Sequence, residues 1–248
     1  MTRMAMSALA LALAVSGASA VAQEGPARFS DAAAGAELPK SWRQLEFPGV
    51  KRPTHWRLVE DGESVVLSGS SVGGASLVYS ATDLDPVATP VVNWRWKVAS
   101  TVADGDLSTR KADDAAARVY IAFQWDPKLE GPWQKIVGPW QRMKYRLARS
   151  RYGEMPPFAA IVYVWSHNEP VGWTAANPSF ERSIQVVKRT REDPTGIWVD
   201  ESSNVVEDFR SWFGFDPPPV SHVALMVDTD DTDGETEAWF GDLVFTRE

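Results

Sequence analysis

Residues 111–125 carry the pattern that most constrains the fold of this chain. Every second residue from Val119 to Trp125 is large and apolar, and a repeat of two residues is typical of a β-strand that packs one face against a core. Two adjacent carboxylates and an arginine stand at the entrance to this run. We therefore expect the segment to form the central strand of a β-sandwich.

Turn residues divide much of the remaining chain into segments of strand length. An Asp-Gly pair at 61–62 separates residues 54–60 from residues 63–70. Such a pair between two apolar-rich runs is a strong short-range signal of a β-hairpin. The two segments are therefore predicted to be neighbouring antiparallel strands.

Residues 91–98 alternate in the same way as the central segment. Valine and tryptophan occupy one set of alternate positions, whereas Asn93, Arg95 and Lys97 occupy the other. One face of this strand is therefore expected to belong to the core, and the opposite face to be solvated or functional.

The other predicted elements complete an all-β fold. Residues 202–213 space apolar side chains at helical intervals and precede Gly214, so they are predicted to form a helix. Further strands are predicted at 42–47, 75–79, 158–166, 180–188, 196–199, 220–227 and 236–246, the last two as a pair around an acidic turn. About nine or ten short strands with one or two short helices indicate a jelly-roll-like antiparallel β-sandwich.

The start of the chain has the features of an export signal. Residues 1–22 combine a basic start, a short apolar run and small residues, which are typical of a secretory signal peptide, here cleaved after Ala20 or Ala22. Residues 23–40 have little apolar periodicity and are expected to be a flexible leader, followed by a single domain at 41–248. The protein is therefore expected to be periplasmic or secreted, without a membrane span.

Composition limits the partners that the chain can have. The formal net charge is −8 and there is no cysteine. The negative charge argues against nucleic acid or an anionic membrane as a partner, and the lack of cysteine excludes disulfides and thiolate metal ligands. Twelve tryptophans are present, and this side chain serves both cores and the binding of flat apolar surfaces such as sugar rings.

Two acidic clusters are candidate sites. Asp113 and Asp114 are neighbours, so on a strand their side chains would face opposite ways, and one carboxylate is expected to form a structural ion pair with Arg118. The acidic turn near the end of the chain has carboxylates that suit Ca²⁺, although turn formation by Asp and Thr explains the same composition. The candidate calcium ligands are Asp228, Asp230, Asp231 and Asp233. No other cofactor is expected.

The predicted loops hold the candidate ligand-binding residues. The sequence has no Gly-rich phosphate loop, no Gly-x-Ser-x-Gly elbow and no His-Glu-x-x-His motif, which excludes several enzyme classes. Aromatic platforms with a few directed polar groups are typical of glycan binding. The residues expected to bind such a ligand are Trp133, Trp140, His167, Glu169, Trp173 and Asn177.

Several ordered motifs resemble one protein family. They are Trp94-Arg-Trp-Lys-Val98, the segment 111–120, Tyr163-Val-Trp165, the segment 204–214 and the segment 228–242. Together they resemble the bacterial exported proteins of domain-of-unknown-function family 3047 over residues 42–246. The resemblance implies an exported bacterial protein but no particular activity, and the general pattern is similar to that of carbohydrate-binding and galactose-binding-like sandwiches.

These observations favour an exported, non-catalytic protein that binds a glycan or another component of the cell envelope. Two alternatives stay open at the level of sequence. One is a carbohydrate-active lyase or hydrolase that uses Asp113 or Asp114 with Glu169 or His167 as acid and base. The other is a structural protein of the envelope. Burial of the two aspartates in an ion pair would weaken the enzyme hypothesis.

Overall fold

The computed structural model describes residues 25–124, 157 and 159–248, which form two β-sheets around a shared core. The strands are β1 (Trp42–Glu46), β2 (His55–Asp61), β3 (Ser64–Val72), β4 (Ala75–Leu84), β5 (Val91–Val98), β6 (Ala115–Phe123), β7 (Ala159–Trp165), β8 (Thr174–Ala176), β9 (Ser183–Arg189), β10 (Val199–Asn204), β11 (Val220–Asp228), β12 (Glu235–Phe240) and β13 (Val244–Thr246). A helix, α1 (Val205–Phe213), lies between β10 and β11. The predicted all-β sandwich is confirmed.

The larger sheet contains the predicted central strand. Its seven strands follow the order β1-β4-β11-β6-β7-β9-β8, so β6 lies in the middle, as predicted. The six-stranded sheet follows the order β10-β5-β12-β3-β2, with β13 also paired to β5. Neighbouring strands are antiparallel except for β7 and β9, which are parallel.

The main core lies between the sheets and is rich in aromatic side chains. Trp94 of β5 stacks on Tyr163 of β7 with ring centroids 5.0 Å apart, and Trp96 meets Trp165 at 5.6 Å. Burial alternates along the whole of β5, as the sequence predicts. This strand therefore presents one row of side chains to the core and the other row to the outer face of the six-stranded sheet.

A second apolar cluster covers the opposite face of the seven-stranded sheet. It consists of Leu107, Ala115, Ala122, Ala160, Val162, Val164 and Val187. Leu107 comes from the loop between β5 and β6, and the half-buried Trp173, from the loop after β7, packs against the cluster. Two loops therefore cover this face, which explains why β7 is buried at every position.

Helix α1 has a capping residue at each end, and the one at its C-terminal end is the Gly214 that the sequence analysis places after the helix. The Asn204 side chain accepts hydrogen bonds from the backbone N–H groups of Val206 and Glu207, both at 3.1 Å, and Gly214 ends the helix at φ 78°. Asparagine is a favoured N-cap and glycine a favoured left-handed C-cap. The helix starts later than predicted because residues 202 and 203 belong to β10. Among the described residues, no helix is long and apolar enough to cross a membrane.

The segment expected to be a flexible leader instead packs against the sandwich. Phe29 is fully buried, and its ring centroid lies 4.8 Å from that of Trp42. The Trp42 indole N–H donates a hydrogen bond to the Ala27 carbonyl at 2.8 Å. Ala32 and Leu38 also pack against the core. The periodicity of the sequence gives no sign of this packing because these side chains do not form a regular apolar repeat.

Two further predictions about strand organisation differ from the structure. Strands β11 and β12, expected to pair around the acidic turn, belong to different sheets. The acidic turn therefore carries the chain from one layer of the sandwich to the other. Strand β8 lies in a segment that the sequence predicts as a loop, and it pairs with β9 at the edge of the larger sheet.

Candidate functional site

The start of β6 is built around one buried arginine. Arg118 is 1% exposed, and its guanidinium donates hydrogen bonds to the carbonyl of Asp113 at 2.6 Å and to its Oδ1 at 2.9 Å. Further hydrogen bonds go to Gln185 Oε1 at 2.8 Å and to Asp228 Oδ1 at 3.2 Å. Each guanidinium nitrogen thus has a partner inside the protein, so this charge holds the fold together.

Asp114 has a different role from its neighbour Asp113. Its carboxylate accepts hydrogen bonds from the backbone N–H groups of Asp231 and Thr232 at 3.2 and 2.8 Å, and from the Thr232 hydroxyl at 2.7 Å. Asp114 is only 2% exposed. It therefore fixes the turn after β11 to the start of β6.

Asp228 ends β11 inside the same network. Its Oδ1 also accepts a hydrogen bond from the backbone N–H of Ala115 at 3.0 Å. Burial raises the pKa of Asp228 to about 8 against the attraction of Arg118, and the nearby Asp113 and Asp114 act in the same direction as burial. Because Arg118 supplies one positive charge between Asp113 and Asp228, a proton on Asp228 makes this trio neutral.

Among the four candidate calcium ligands, Asp228, Asp230, Asp231 and Asp233, the first and the last face different partners. Asp228 faces Arg118, whereas the exposed carboxylate of Asp233 lies 4.0 Å from Arg52. Asp231 contributes its backbone N–H to the hydrogen bond with Asp114. In the described ranges, no group of three or more histidine or acidic side chains is arranged to hold a metal ion. The calcium prediction therefore has no ligand set in this part of the chain.

Two of the predicted ligand-binding residues, Glu169 and His167, have partners inside the protein. Glu169 is 8% exposed and accepts hydrogen bonds from the backbone N–H of Leu107 at 3.0 Å and from the Ser166 hydroxyl. His167 Nδ1 lies 2.7 Å from the hydroxyl of Thr101. Both side chains therefore tie the loop after β7 to the loop between β5 and β6.

Asn177 and Trp173, two further predicted ligand-binding residues, also have contacts inside the protein. The Asn177 side chain donates a hydrogen bond to Asp113 and accepts one from the backbone N–H of Phe180 at 3.0 Å. Trp173 packs on the second apolar cluster. Trp133 and Trp140 lie outside the described residues. The loop after β7 is thus engaged in internal contacts rather than forming an open binding surface.

The outer face of the six-stranded sheet carries a group of side chains that we call the tryptophan platform: Trp198, Lys97 and Trp239. Lys97 Nζ lies 5.0 Å from the ring centroid of Trp198 and 4.6 Å from that of Trp239. Both indoles are partly exposed. Lys97 also forms an ion pair with Asp61, and hydrogen bonding from Lys97 lowers the pKa of that carboxyl. The ammonium group therefore fixes both indoles on one face.

An open cleft, here called the β5 cleft, shares this sheet with the platform. It has a volume of about 590 Å³, and both apolar surface and polar side chains line it. The guanidinium of Arg95 lines the cleft and also lies 4.6 Å from the Trp198 ring centroid, so it links the cleft to the platform. Other polar residues in the lining are Ser30, Asn93, Asp200, Ser202 and Asp242.

The fold and this surface define the class of protein: a two-sheet β-sandwich with an open aromatic and polar surface on one sheet. Residues 40–244 match the family described as "Protein of unknown function (DUF3047)". The chain belongs to this family, and the resemblance identified from its motifs is confirmed.

Other comparisons concern the strand arrangement. The chain is similar to the family 11 carbohydrate-binding module of Clostridium thermocellum, with 9% identity, a TM-score of 0.39, and coverage of 86% of this chain and 92% of the module. It is also similar to the family 11 xylanase of Neocallimastix patriciarum, with 10% identity, a TM-score of 0.34, and coverage of 85% of this chain and 91% of the xylanase. A third similar structure is the K3 adhesin domain of Lys-gingipain from Porphyromonas gingivalis, with 10% identity, a TM-score of 0.38, and coverage of 91% of this chain and 99% of the domain. A comparison with curated protein sequences finds no match.

The sequence analysis does not single out Trp198 or Trp239. The signal that points to their surface is the polar row of residues 91–98, which predicts a solvated or functional face. The two indoles meet around Lys97 only because β10 and β12 pair with opposite edges of β5. Residues so distant in sequence carry no local mark of this proximity.

Proposed function

We propose that this protein is exported and binds a glycan or another envelope polysaccharide, without catalysis, through the tryptophan platform and the β5 cleft. One juxtaposition carries the proposal: two partly exposed indoles, fixed by Lys97, share an open sheet face with a cleft of about 590 Å³ that several polar side chains line. The signal-peptide features of residues 1–22 support export.

Sugars suit this combination of side chains. A pyranose ring has apolar C–H faces that stack on indoles, and its rim of hydroxyl groups needs hydrogen-bond donors and acceptors. Asn93, Asp200 and Ser202 line the cleft and offer both. The cleft is open along a sheet face, so an extended chain has room to lie across it without entering a closed pocket.

The paired carboxylates at the start of β6 give the enzyme alternative no support. Asp113 is paired with Arg118, and Asp114 accepts hydrogen bonds from the turn after β11. A general acid or base must reach the bond that it cleaves. Both carboxylates are instead committed to contacts inside the protein.

Replacement of the platform indoles tests the proposal. A glycan array would identify ligands, and titration followed by tryptophan fluorescence and calorimetry would give affinities for the wild type, Trp198→Ala and Trp239→Ala. Each substitution is expected to weaken binding about tenfold, because each removes one stacking surface. The matched control is Trp212→Ala, which removes an indole that is 42% exposed on α1, outside the platform and the cleft.

Two results would contradict the proposal. One is that no polysaccharide on the array binds the wild type. The other is that Trp212→Ala weakens binding as much as the platform variants do while all variants keep the same thermal midpoint.

A further inference from the structure

Arg95 is held in one orientation by the backbone and by an indole. Its guanidinium carbon lies 4.6 Å from the centroid of the Trp198 ring. On the other side, the stem of Arg95 passes so close to Gly241 that a Cβ on this glycine would lie 2.6 Å from Arg95 Cγ and 2.9 Å from Nε. Only a residue without a side chain leaves this path open, so Gly241 is part of what positions the arginine.

The Arg95 guanidinium has no hydrogen-bonded or ion-paired carboxylate within the described part of the chain, although its charge acts on Asp61 and helps to lower the pKa of that carboxyl. No hydrogen bond or ion pair joins the Arg95 guanidinium to another residue of the described ranges, although it stacks on Trp198. Its neighbour on the strand, Lys97, is by contrast paired with Asp61. The N–H groups of the Arg95 guanidinium are therefore available to a ligand at the wall of the β5 cleft.

The acidic residues of the cleft do not replace that missing partner. Asp242 accepts hydrogen bonds from the backbone N–H of Phe29 at 2.7 Å and from the Ser30 hydroxyl at 2.5 Å. Glu201 forms an ion pair with Arg189 at 2.6 Å. Two of the three acids that line the cleft are thus committed elsewhere, and Asp200 is left as the exposed one.

A guanidinium that is oriented in advance binds planar anions well. Its fork matches both oxygens of a carboxylate, and such charge-assisted pairs are stronger than neutral hydrogen bonds. Because packing against Trp198 and Gly241 already orders the side chain, binding costs less conformational entropy than for a free arginine. Beside it, the indoles of the platform accept the C–H face of a sugar ring.

We infer that the β5 cleft takes an acidic glycan, a polymer whose sugar rings carry carboxylates, and that Arg95 binds the carboxylate. This inference rests on the proposed function, since it names the class of ligand for the same surface. Asp200, opposite Arg95 in the register of β10 and β5, limits the affinity because its charge repels such a ligand. The net charge of −8 makes this local cation the feature that attracts an anionic chain.

A pair of matched polymers tests the inference. Affinities of the full exported chain would be measured by calorimetry for a polyuronate, for the same polymer after reduction of its carboxyl groups, and for neutral glucan and xylan. The wild type is expected to bind the polyuronate roughly tenfold or more tightly than the reduced polymer. Added salt is expected to weaken only the first interaction.

Four variants separate the charge of Arg95 from its geometry. Arg95→Gln is expected to abolish the preference for the polyuronate, and Arg95→Lys to keep part of it, because an ammonium lacks the fork. Gly241→Ala keeps the charge but displaces the side chain, so it is expected to reduce the preference. Asp200→Asn is expected to strengthen polyuronate binding. Thermal midpoints serve as the check on folding.

The outcomes distinguish this inference from the proposed function. Equal affinity for the polyuronate and its reduced form, unchanged in Arg95→Gln and Arg95→Lys, overturns the acidic ligand but leaves glycan binding intact. Binding of neutral glucan or xylan without binding of the polyuronate likewise overturns the acidic ligand and leaves glycan binding intact. Failure of all four polymers and of the glycan array to bind overturns the proposed function as well.

Discussion

Arg118 and Arg95 carry the same guanidinium group but differ in burial and in their hydrogen-bond partners. Arg118 is buried and donates hydrogen bonds to Asp113, Gln185 and Asp228. Arg95 is partly exposed and rests on Trp198; in the described ranges no carboxylate forms a hydrogen bond or ion pair with it, although Asp61 lies within electrostatic reach. The protein itself supplies the hydrogen-bond acceptors around Arg118. The aliphatic part of Arg95 is instead ordered by packing, and its guanidinium N–H groups face the solvent.

The difference shows how to separate structural charges from binding charges. A charge whose hydrogen bonds are complete inside the protein has little left to offer a ligand, however many acids surround it. A charge that is ordered by packing but lacks internal partners keeps its donors for an external acceptor. The acid-rich start of β6 is therefore part of the scaffold, and the outer face of the six-stranded sheet is the surface that we propose for recognition.

The largest expected effect is the loss of stability when Arg118 is removed. Arg118→Met leaves Asp113 and Asp228 close together without their shared cation, which is expected to lower the free energy of unfolding by about 3–5 kcal/mol. Urea unfolding followed by fluorescence would measure the change. Arg118→Met combined with Asp228→Asn is expected to recover part of the loss at a pH above about 8, where Asp228 is otherwise charged. A loss below about 1 kcal/mol in the single variant would show that the network is not structural.

The next largest effect is expected in the pH dependence of stability, which tests the buried network of Arg118 and Asp228. The pKa of Asp228 is raised to about 8 in the folded protein, so the folded state holds this proton more tightly than the unfolded state does. The resulting stabilisation is complete below the ordinary pKa of 3.8 and is lost as the pH rises through about 8. Asp228→Asn is expected to remove this decline, which is on the order of a few kcal/mol.

Urea unfolding of the wild type and Asp228→Asn from pH 5 to pH 9 would check this expectation. The stability of the variant relative to the wild type should increase with pH. The same relative stability at every pH would contradict a raised pKa for Asp228. Arg95→Gln, measured alongside, is expected to keep the pH dependence of the wild type.

A smaller effect is expected at Glu169, which the sequence predicts as a ligand-binding residue. Glu169→Ala leaves the buried N–H of Leu107 without its acceptor and is expected to cost about 1–3 kcal/mol of stability, with glycan affinity unchanged. Glu169→Gln keeps one acceptor and is expected to cost less. Weaker glycan binding in both variants at unchanged stability would instead assign the loop after β7 to recognition.

The smallest expected effect is that of Arg95 on stability. Arg95→Gln removes one exposed cation–π contact and is expected to change the free energy of unfolding by at most about 1 kcal/mol. Its effect on binding is expected to be much larger. A destabilisation comparable with that of Arg118→Met would mean that Arg95 is a second structural arginine.

Short-range features of the fold are predictable because local preferences determine them. The Asp-Gly turn at 61–62 joins β2 and β3 as the predicted antiparallel pair. The α1 caps at Asn204 and Gly214 follow from backbone and side-chain preferences of single residues. The alternation along β5 identifies its polar outer row, which later proves to line the candidate site.

Features that depend on distant contacts are not predictable in the same way. The acidic turn looks like a hairpin, yet β11 and β12 enter different sheets because each completes a different layer. Glu169 and Asn177 look like loop residues that await a ligand, but two loops fold against each other and use their polar groups. The indoles of Trp198 and Trp239 meet only through strand pairing.

The burial of Phe29 has a consequence for the order in which the chain folds. The Phe29 backbone N–H donates to Asp242, a residue 213 positions later in the chain. Closing so long a loop is entropically costly and cannot precede synthesis of its far end. The segment around Phe29 therefore docks among the last, and a nascent chain that has not yet reached β13 leaves part of its core open.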